Sequence, residues 1–210
     1  MGDKISMSVV RRLPRYYRFL TELENKNVVR TSSRELAERM GFTASQVRQD
    51  LNCFGGFGQQ GYGYNVAMLR EEIGYILGMN EKKKCIIIGA GNLGRAIATH
   101  MNFKDKGLAL VGIFDRKEAY SGQLVAGMPI RNISGLEDFC NSEKPDICAL
   151  CVPKDTADEL AGQLSKLGIK GIWNFSHGDL SIKYPELAVE NVHLGDTLMT
   201  LCYKVKQKSQ

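Results

Sequence analysis

With 210 residues, 43% of them hydrophobic, the chain is long enough for one or two domains with a buried core. No apolar run reaches the length of a membrane-spanning helix and the N-terminus has no signal-peptide core, so a cytoplasmic chain with no membrane partner is expected. The formal net charge is +5, and residues 1–64 carry ten Lys/Arg against six Asp/Glu, an imbalance suited to a polyanionic partner.

Residues 8–25 read as a first helix, with Val9 or Val10, Leu13, Tyr17, Leu20 and Leu23 on one apolar face. Pro14 must fall in its first turn or mark a kink. Arg11, Arg12, Arg15 and Arg18 stud the other faces. Residues 31–41 form a second helix, opened by the capping box Ser32-x-x-Glu35 and closed by Gly41. Thr43-x-x-Gln46 starts a third helix whose buried stripe is Ala44, Val47, Leu51 and Phe54. Ser45, Arg48, Gln49 and Asn52 form the opposite, hydrogen-bonding stripe, with Gln46 in the first turn. Two helices joined by a short glycine turn, the second with a polar face, read as a helix-turn-helix for double-stranded DNA.

Residues 55–64 hold five glycines, with Phe57, Tyr62 and Tyr64 between them. No strand precedes this stretch and no Lys-Ser/Thr follows, which excludes a P-loop. A tight β-hairpin after a recognition helix is the wing of a winged helix, and Gln59, Gln60 and Tyr62 are its candidate DNA contacts. Residues 66–79 read as a connecting helix, with Met68/Leu69, Ile73 and Ile76/Leu77 on one face, and the EKKK run at 81–84 as a junction.

The apolar run Cys85–Ile88 passes through Gly89-Ala90-Gly91-Asn92-Leu93-Gly94 into a helical pattern. Gly89 permits the turn, Gly91 lets phosphates approach the backbone, and Gly94 lets helix and strand pack closely. The next apolar run, 108–114, ends in Asp115, 21 residues after Gly94, where a carboxylate grips a ribose hydroxyl. Asp115 would repel a 2′-phosphate, which favours NAD(H), although Arg116 and Lys117 keep NADP(H) open. Further strands near 128–133, 146–153, 169–176 and 189–194, with helices over 135–141 and 155–167, indicate a doubly wound parallel sheet. Ligands bind beyond the carboxyl ends of such strands, so Cys151, Val152, Pro153, Asn174 and Phe175 are candidates for the nicotinamide side.

Cys148-x-x-Cys151 lies in a strand candidate that points its two thiols to opposite faces, and His100, His177 and His193 lack zinc-site spacing. No metal and no catalytic residue is assigned. Residues 195–206 carry an apolar stripe (Leu198, Leu201, Cys202, Val205) that needs a partner, in its own domain or in a dimer mate. The expected architecture is α/β: a winged-helix domain with its connecting helix over 1–80, a Rossmann-like dinucleotide domain over 81–194, and a C-terminal dimerisation helix over 195–210.

The runs RLPRYYRFL (12–20), RTSSRELAERMGFTASQVRQDL (30–51), FGQQGYGYNV (57–66), GAGNLGRAI (89–97), GIFD (112–115) and GIKGIWNF (168–175) resemble the Rex family of NADH-responsive repressors. The resemblance implies a homodimer that binds an inverted-repeat operator, exchanges C-terminal helices, and releases DNA when NADH binds, while NAD+ competes without releasing it. It places Arg48 and its neighbours on the DNA-reading helix, and Gly89, Gly91, Asn92, Leu93 and Asp115 at the dinucleotide. It also implies a switch in which the arginine matching Arg18 works with a Tyr and an Asp. This chain has His100 and His193 at those two positions. The alternative these histidines raise is a DNA-binding relative with altered or lost redox discrimination, sensing another nucleotide or none. A small NAD-dependent dehydrogenase is disfavoured because no substrate domain follows the sheet.

Overall fold

Local chain chemistry explains most of the element boundaries. The structure, a computed structural model, describes residues 5–55, 58–59 and 62–208, and it divides between Glu81 and Lys82 into two units. Phe57, Gln60 and the side chain of Gln59 lie outside the described residues.

The first unit contains α1 (Met7–Val10), α2 (Leu13–Asn25), β1 (Arg30–Thr31), α3 (Ser33–Met40), α4 (Ala44–Asn52), β2 (Gly58–Gln59), β3 (Gly63–Asn65) and α5 (Val66–Ile76). The helix expected over 8–25 is two helices, and Pro14 sits in the first turn of the second, where its missing N–H costs nothing. Starting α2 at Leu13 turns Tyr16, rather than Tyr17, into the core beside Leu20 and Leu23. Ser32 accepts from Glu35 N, while the Glu35 carboxylate accepts from Ser32 N, closing the capping box of α3. Gly41 ends α3 at φ 64°, and Thr43 caps α4 through Gln46 N at 3.1 Å. Strands β1, β3 and β2 form a small antiparallel sheet, with β3 in the middle. Gly63 (φ 67°) is required there, because a Cβ would lie 2.4 Å from the Thr31 carbonyl oxygen. Leu13, Tyr16, Leu20, Leu36, Met40, Val47, Leu51, Leu69 and Ile73 fill the core of this winged helix. Met68 is exposed while Leu69 is buried, which fixes the inward face of α5.

The second unit is a seven-stranded sheet of β4 (Lys83–Ile88), β5 (Leu108–Asp115), β6 (Leu124–Val125), β7 (Met128–Asn132), β8 (Ile147–Leu150), β9 (Gly171–Asn174) and β10 (Ala188–Asn191), in the order β10-β9-β8-β4-β5-β7-β6. All pairings are parallel except β6 with β7, a hairpin turned by Ala126 and Gly127, both at positive φ. The wholly parallel sheet expected from the sequence thus gains an antiparallel edge. Alternate residues of β4 and β8 enter two cores: Ile86, Ile88, Cys148 and Leu150 in one, Cys85, Ile87 and Ala149 in the other. Helices α6 (Asn92–His100), α7 (Leu136–Glu143) and α8 (Lys154–Lys166) cover these faces, and α9 (Leu194–Lys208) closes the chain without a buried residue. Among the described residues, no helix is long and apolar enough to cross a membrane.

Candidate nucleotide cleft and nucleic-acid interface

Strand β4 has β5 on one side and β8 on the other, so the winding direction reverses at its carboxyl end. Gly89 N donates to the Phe114 carbonyl, and Cys151 N donates to the Ile88 carbonyl (each 2.8 Å), tying the glycine loop to both neighbours. A Cβ on Gly89 would lie 2.4 Å from the Cys151 carbonyl oxygen, and one on Gly94 only 1.8 Å from that of Gly89. The first and third glycines of the motif are therefore packing requirements. Gly91, with φ −72° and nothing within 4 Å of an added Cβ, faces open space.

That space is a cleft of about 500 Å3, lined by Gly89, Gly91, Asp115, Cys151, Val152 and Pro153 among the expected residues. Arg116, Lys117 and Tyr120 line it beyond β5, and Thr156, Glu159 and Gln163 line it from α8. The α8 trio falls at i, i+3 and i+7, a helical spacing that could have identified it once the preceding strand end was chosen. Helices α6 and α8 begin at Gly91 and Pro153 with no side-chain cap, whereas Ser32, Thr43 and Asn65 cap α3, α4 and α5. The free N–H groups of those two first turns, and the dipoles behind them, suit an anionic ligand such as a pyrophosphate.

Asp115 is nine-tenths buried, and both carboxylate oxygens already accept from backbone: Oδ2 from Ala90 N at 2.6 Å and Oδ1 from Lys117 N at 2.8 Å. Each oxygen keeps a further lone pair for a ribose hydroxyl. Arg95 braces the same loop, donating from Nε to the Ala90 carbonyl at 2.7 Å while its guanidinium lies 4.8 Å from the Tyr120 ring centre.

Several expected contacts lie elsewhere. Asn174 is fully buried and spends its carboxamide on Gly178 O, Asn191 Oδ1 and Ser176 N. Phe175 packs edge-on against Trp173 at 4.5 Å. Both residues sit at the end of β9, two strands from β4, and neither lines the cleft, which lies at the winding reversal. Asn92 and Leu93 are exposed at the start of α6 but are not among the lining residues. His100 is exposed at the end of α6, and His193 is half-buried ahead of α9. The Asp179 carboxylate, held by Ser181 and Asn191, sits below the usual carboxylate range, and the charge of His193 adds to that effect. Arg18 is exposed on α2 with its guanidinium 5.6 Å from the Phe19 ring.

In the first unit, Ser45, Arg48, Gln49 and Asn52 form an exposed stripe on α4, and Arg48 reaches Ser33 Oγ at 3.2 Å. Tyr62 is exposed on the hairpin, where Arg30 donates to its carbonyl at 3.0 Å. One correction, at Arg12, falls on this face. Arg12, expected at the surface, forms a two-point ion pair with buried Asp50, and Gln46 is turned toward the same carboxylate, donating at 2.8 Å. Burial opposes the Asp50 charge, but hydrogen bonds from Arg12, Gln46 and Tyr16 outweigh it and hold the carboxyl below its usual range. Because the native value is depressed, the stabilisation from Asp50 is present above about pH 4 and is lost as the pH falls through that native value. Acid unfolding followed by circular dichroism should show this loss in the native protein. Asp50→Asn should flatten that acid dependence and lower stability at neutral pH by ~2–3 kcal/mol, a buried-pair cost discounted for the partly exposed Arg12.

Comparison with known proteins draws the two units together. A family described as "Putative DNA-binding protein N-terminus" matches residues 4–52, and one described as "CoA binding domain" matches residues 80–178. A redox-sensing transcriptional repressor Rex from Caldicellulosiruptor saccharolyticus is 50% identical over 97% of this chain and 93% of its own. Its counterpart from Thermoanaerobacter pseudethanolicus is 51% identical over 98% and 91%. The chain belongs to the Rex family. The crystal structure of the Rex-family repressor RSP with β-NAD+ and operator DNA superposes with a TM-score of 0.90 at 49% identity, covering 98% of this chain and 94% of that one. RSP with β-NADH gives 0.89 at 46% identity, covering 98% and 96%. As a Rex protein, the chain combines a DNA-binding winged helix with a dinucleotide-binding Rossmann domain.

Proposed function

We propose that this protein is a homodimeric, cytoplasmic repressor that binds an inverted-repeat operator and releases it when NADH fills the cleft, acting as a sensor and not as an enzyme. The observation that carries this reading is the pairing, in one chain, of an exposed polar helix face with a glycine-lined cleft flanked by two uncapped helix starts and Asp115. The complexes of RSP with NAD+, NADH and operator DNA support it. Asp115, Gly89 and Gly91 hold the dinucleotide, with Cys151, Val152 and Pro153 beside it. The Ser45–Asn52 face of α4 enters the major groove, with Tyr62 alongside. NAD(H) is the cofactor favoured, because a 2′-phosphate would approach the Asp115 carboxylate.

An operator-release titration with NADH, NAD+ and NADPH tests this reading. NADH should release DNA at the lowest concentration and NADPH at the highest; equal potency of NADPH and NADH would remove the role given to Asp115. Since His193 stands where the family switch has an Asp, the gap between NADH and NAD+ should be narrower in the native protein than in His193→Asp. Arg48→Ala should weaken specific binding by about tenfold or more, the value of a two-point arginine–guanine contact. Loss spread equally over all sequences would mark Arg48 as a phosphate contact instead.

A further inference from the structure

Asp50 is an acid on the helix assigned to DNA, where a carboxylate would ordinarily repel phosphates. It is 1% exposed, on the inward side of α4, and it accepts four hydrogen bonds. Arg12 donates through Nε to Oδ2 and through Nη2 to Oδ1 at 2.7 Å each, the Tyr16 hydroxyl to Oδ2 at 3.0 Å, and Gln46 Nε2 to Oδ1 at 2.8 Å. Arg12 neutralises the charge through a two-point ion pair. Gln46 lies one turn before Asp50 in the first turn of α4, the part of a recognition helix that meets base edges.

We propose that Arg12 and Asp50 are positioning residues for base recognition, fixing the Gln46 amide with its nitrogen turned inward so that Oε1 is what it offers to a base amino group. The argument rests on the reading of α4 as the DNA-reading helix. An unrestrained glutamine can rotate its amide to offer either a donor or an acceptor. An ionised carboxylate only accepts, so the edge turned toward Asp50 must be the NH2, and the oxygen is left for the ligand. In the major groove, adenine N6 and cytosine N4 present amino donors, while guanine O6 and thymine O4 present acceptors that repel another oxygen. The clamp therefore selects an amino base at one half-site position, although neither Arg12 nor Asp50 touches DNA.

The test is selection from a randomised duplex oligonucleotide pool by the full-length native protein, Gln46→Met, Arg12→Lys and Tyr16→Phe, each checked by thermal melting. The native protein should enrich adenine or cytosine at one half-site position that Gln46→Met flattens by about fivefold or more. Arg12→Lys keeps the charge but loses the two-point grip, and it should flatten that same position while sparing the others. Tyr16→Phe removes one bond from Asp50 without altering charge and should do so more weakly, which keeps the test open if Arg12→Lys folds poorly. The proposal is overturned if Gln46→Met changes no position, if its position selects guanine or thymine, or if Arg12→Lys and Tyr16→Phe depress all positions together. A native protein that enriches no sequence at all overturns the reading of α4 and the clamp with it, and is recognised by the lack of any enriched position.

Discussion

Gly91→Ala should leave the Rossmann unit folded yet lower its affinity for NADH by roughly a hundredfold or more, ~2.7 kcal/mol. An added methyl meets nothing within 4 Å, and the backbone angle of −72° suits alanine, so the unliganded protein accommodates the change. The methyl would stand where phosphate oxygens must approach the first amides of α6. Gly94→Ala, three residues on, is the opposite case. Its Cβ would sit 1.8 Å from the Gly89 carbonyl oxygen, so helix and loop must separate, at a cost of ~3 kcal/mol or more. Thermal melts with and without NADH distinguish the two outcomes. Gly91→Ala should melt like the native protein without NADH and show a much smaller nucleotide shift, whereas Gly94→Ala should melt early in both conditions. A Gly91→Ala protein that binds NADH normally would place the pyrophosphate elsewhere.

Truncation after Leu194 should produce monomers or aggregates and lower operator affinity by ~10²–10⁴-fold, the avidity lost when two half-site readers are no longer linked. Leu198, Met199, Leu201, Tyr203 and Val205 on α9 are each more than half exposed, and no residue of the helix is buried. Fully burying an aliphatic side chain of this kind contributes roughly 1.5–3 kcal/mol. A partner covering several of them would therefore make association strong. Sedimentation velocity checks the prediction: a truncated protein that remains a well-behaved dimer would move the interface away from α9.

What could be read from the sequence was what is encoded locally. Ser32 with Glu35, Thr43 with Gln46, and the run from Gly89 to Gly94 each act within a few residues, and the structure places those caps and that turn where the spacing puts them. Features that depend on distant partners were not legible. Arg12 reads from the sequence as one more surface cation because its counterion lies 38 residues away. The β6–β7 hairpin escaped because its first strand has only two residues. Asn174 reads from the sequence as a ligand because strand ends often carry them. Its buried carboxamide instead organises the turn after β9, a role set by Gly178 and Asn191.

Cys151 beside the cleft, with Cys85 and Cys148 inside the two cores, has a bearing on what kind of redox signal this protein can receive. Burial pushes Cys85 and Cys151 up to about 12, and Cys148 is raised as well. Raised in this direction, the thiols favour the protonated form at neutral pH over the thiolate, which is what reacts with peroxides and disulfides. Burial thereby disfavours covalent modification of these three thiols by oxidants. Oxidative stress and the hydride balance of metabolism are different kinds of information, and the sulfur held inside this sheet is poorly suited to report the first.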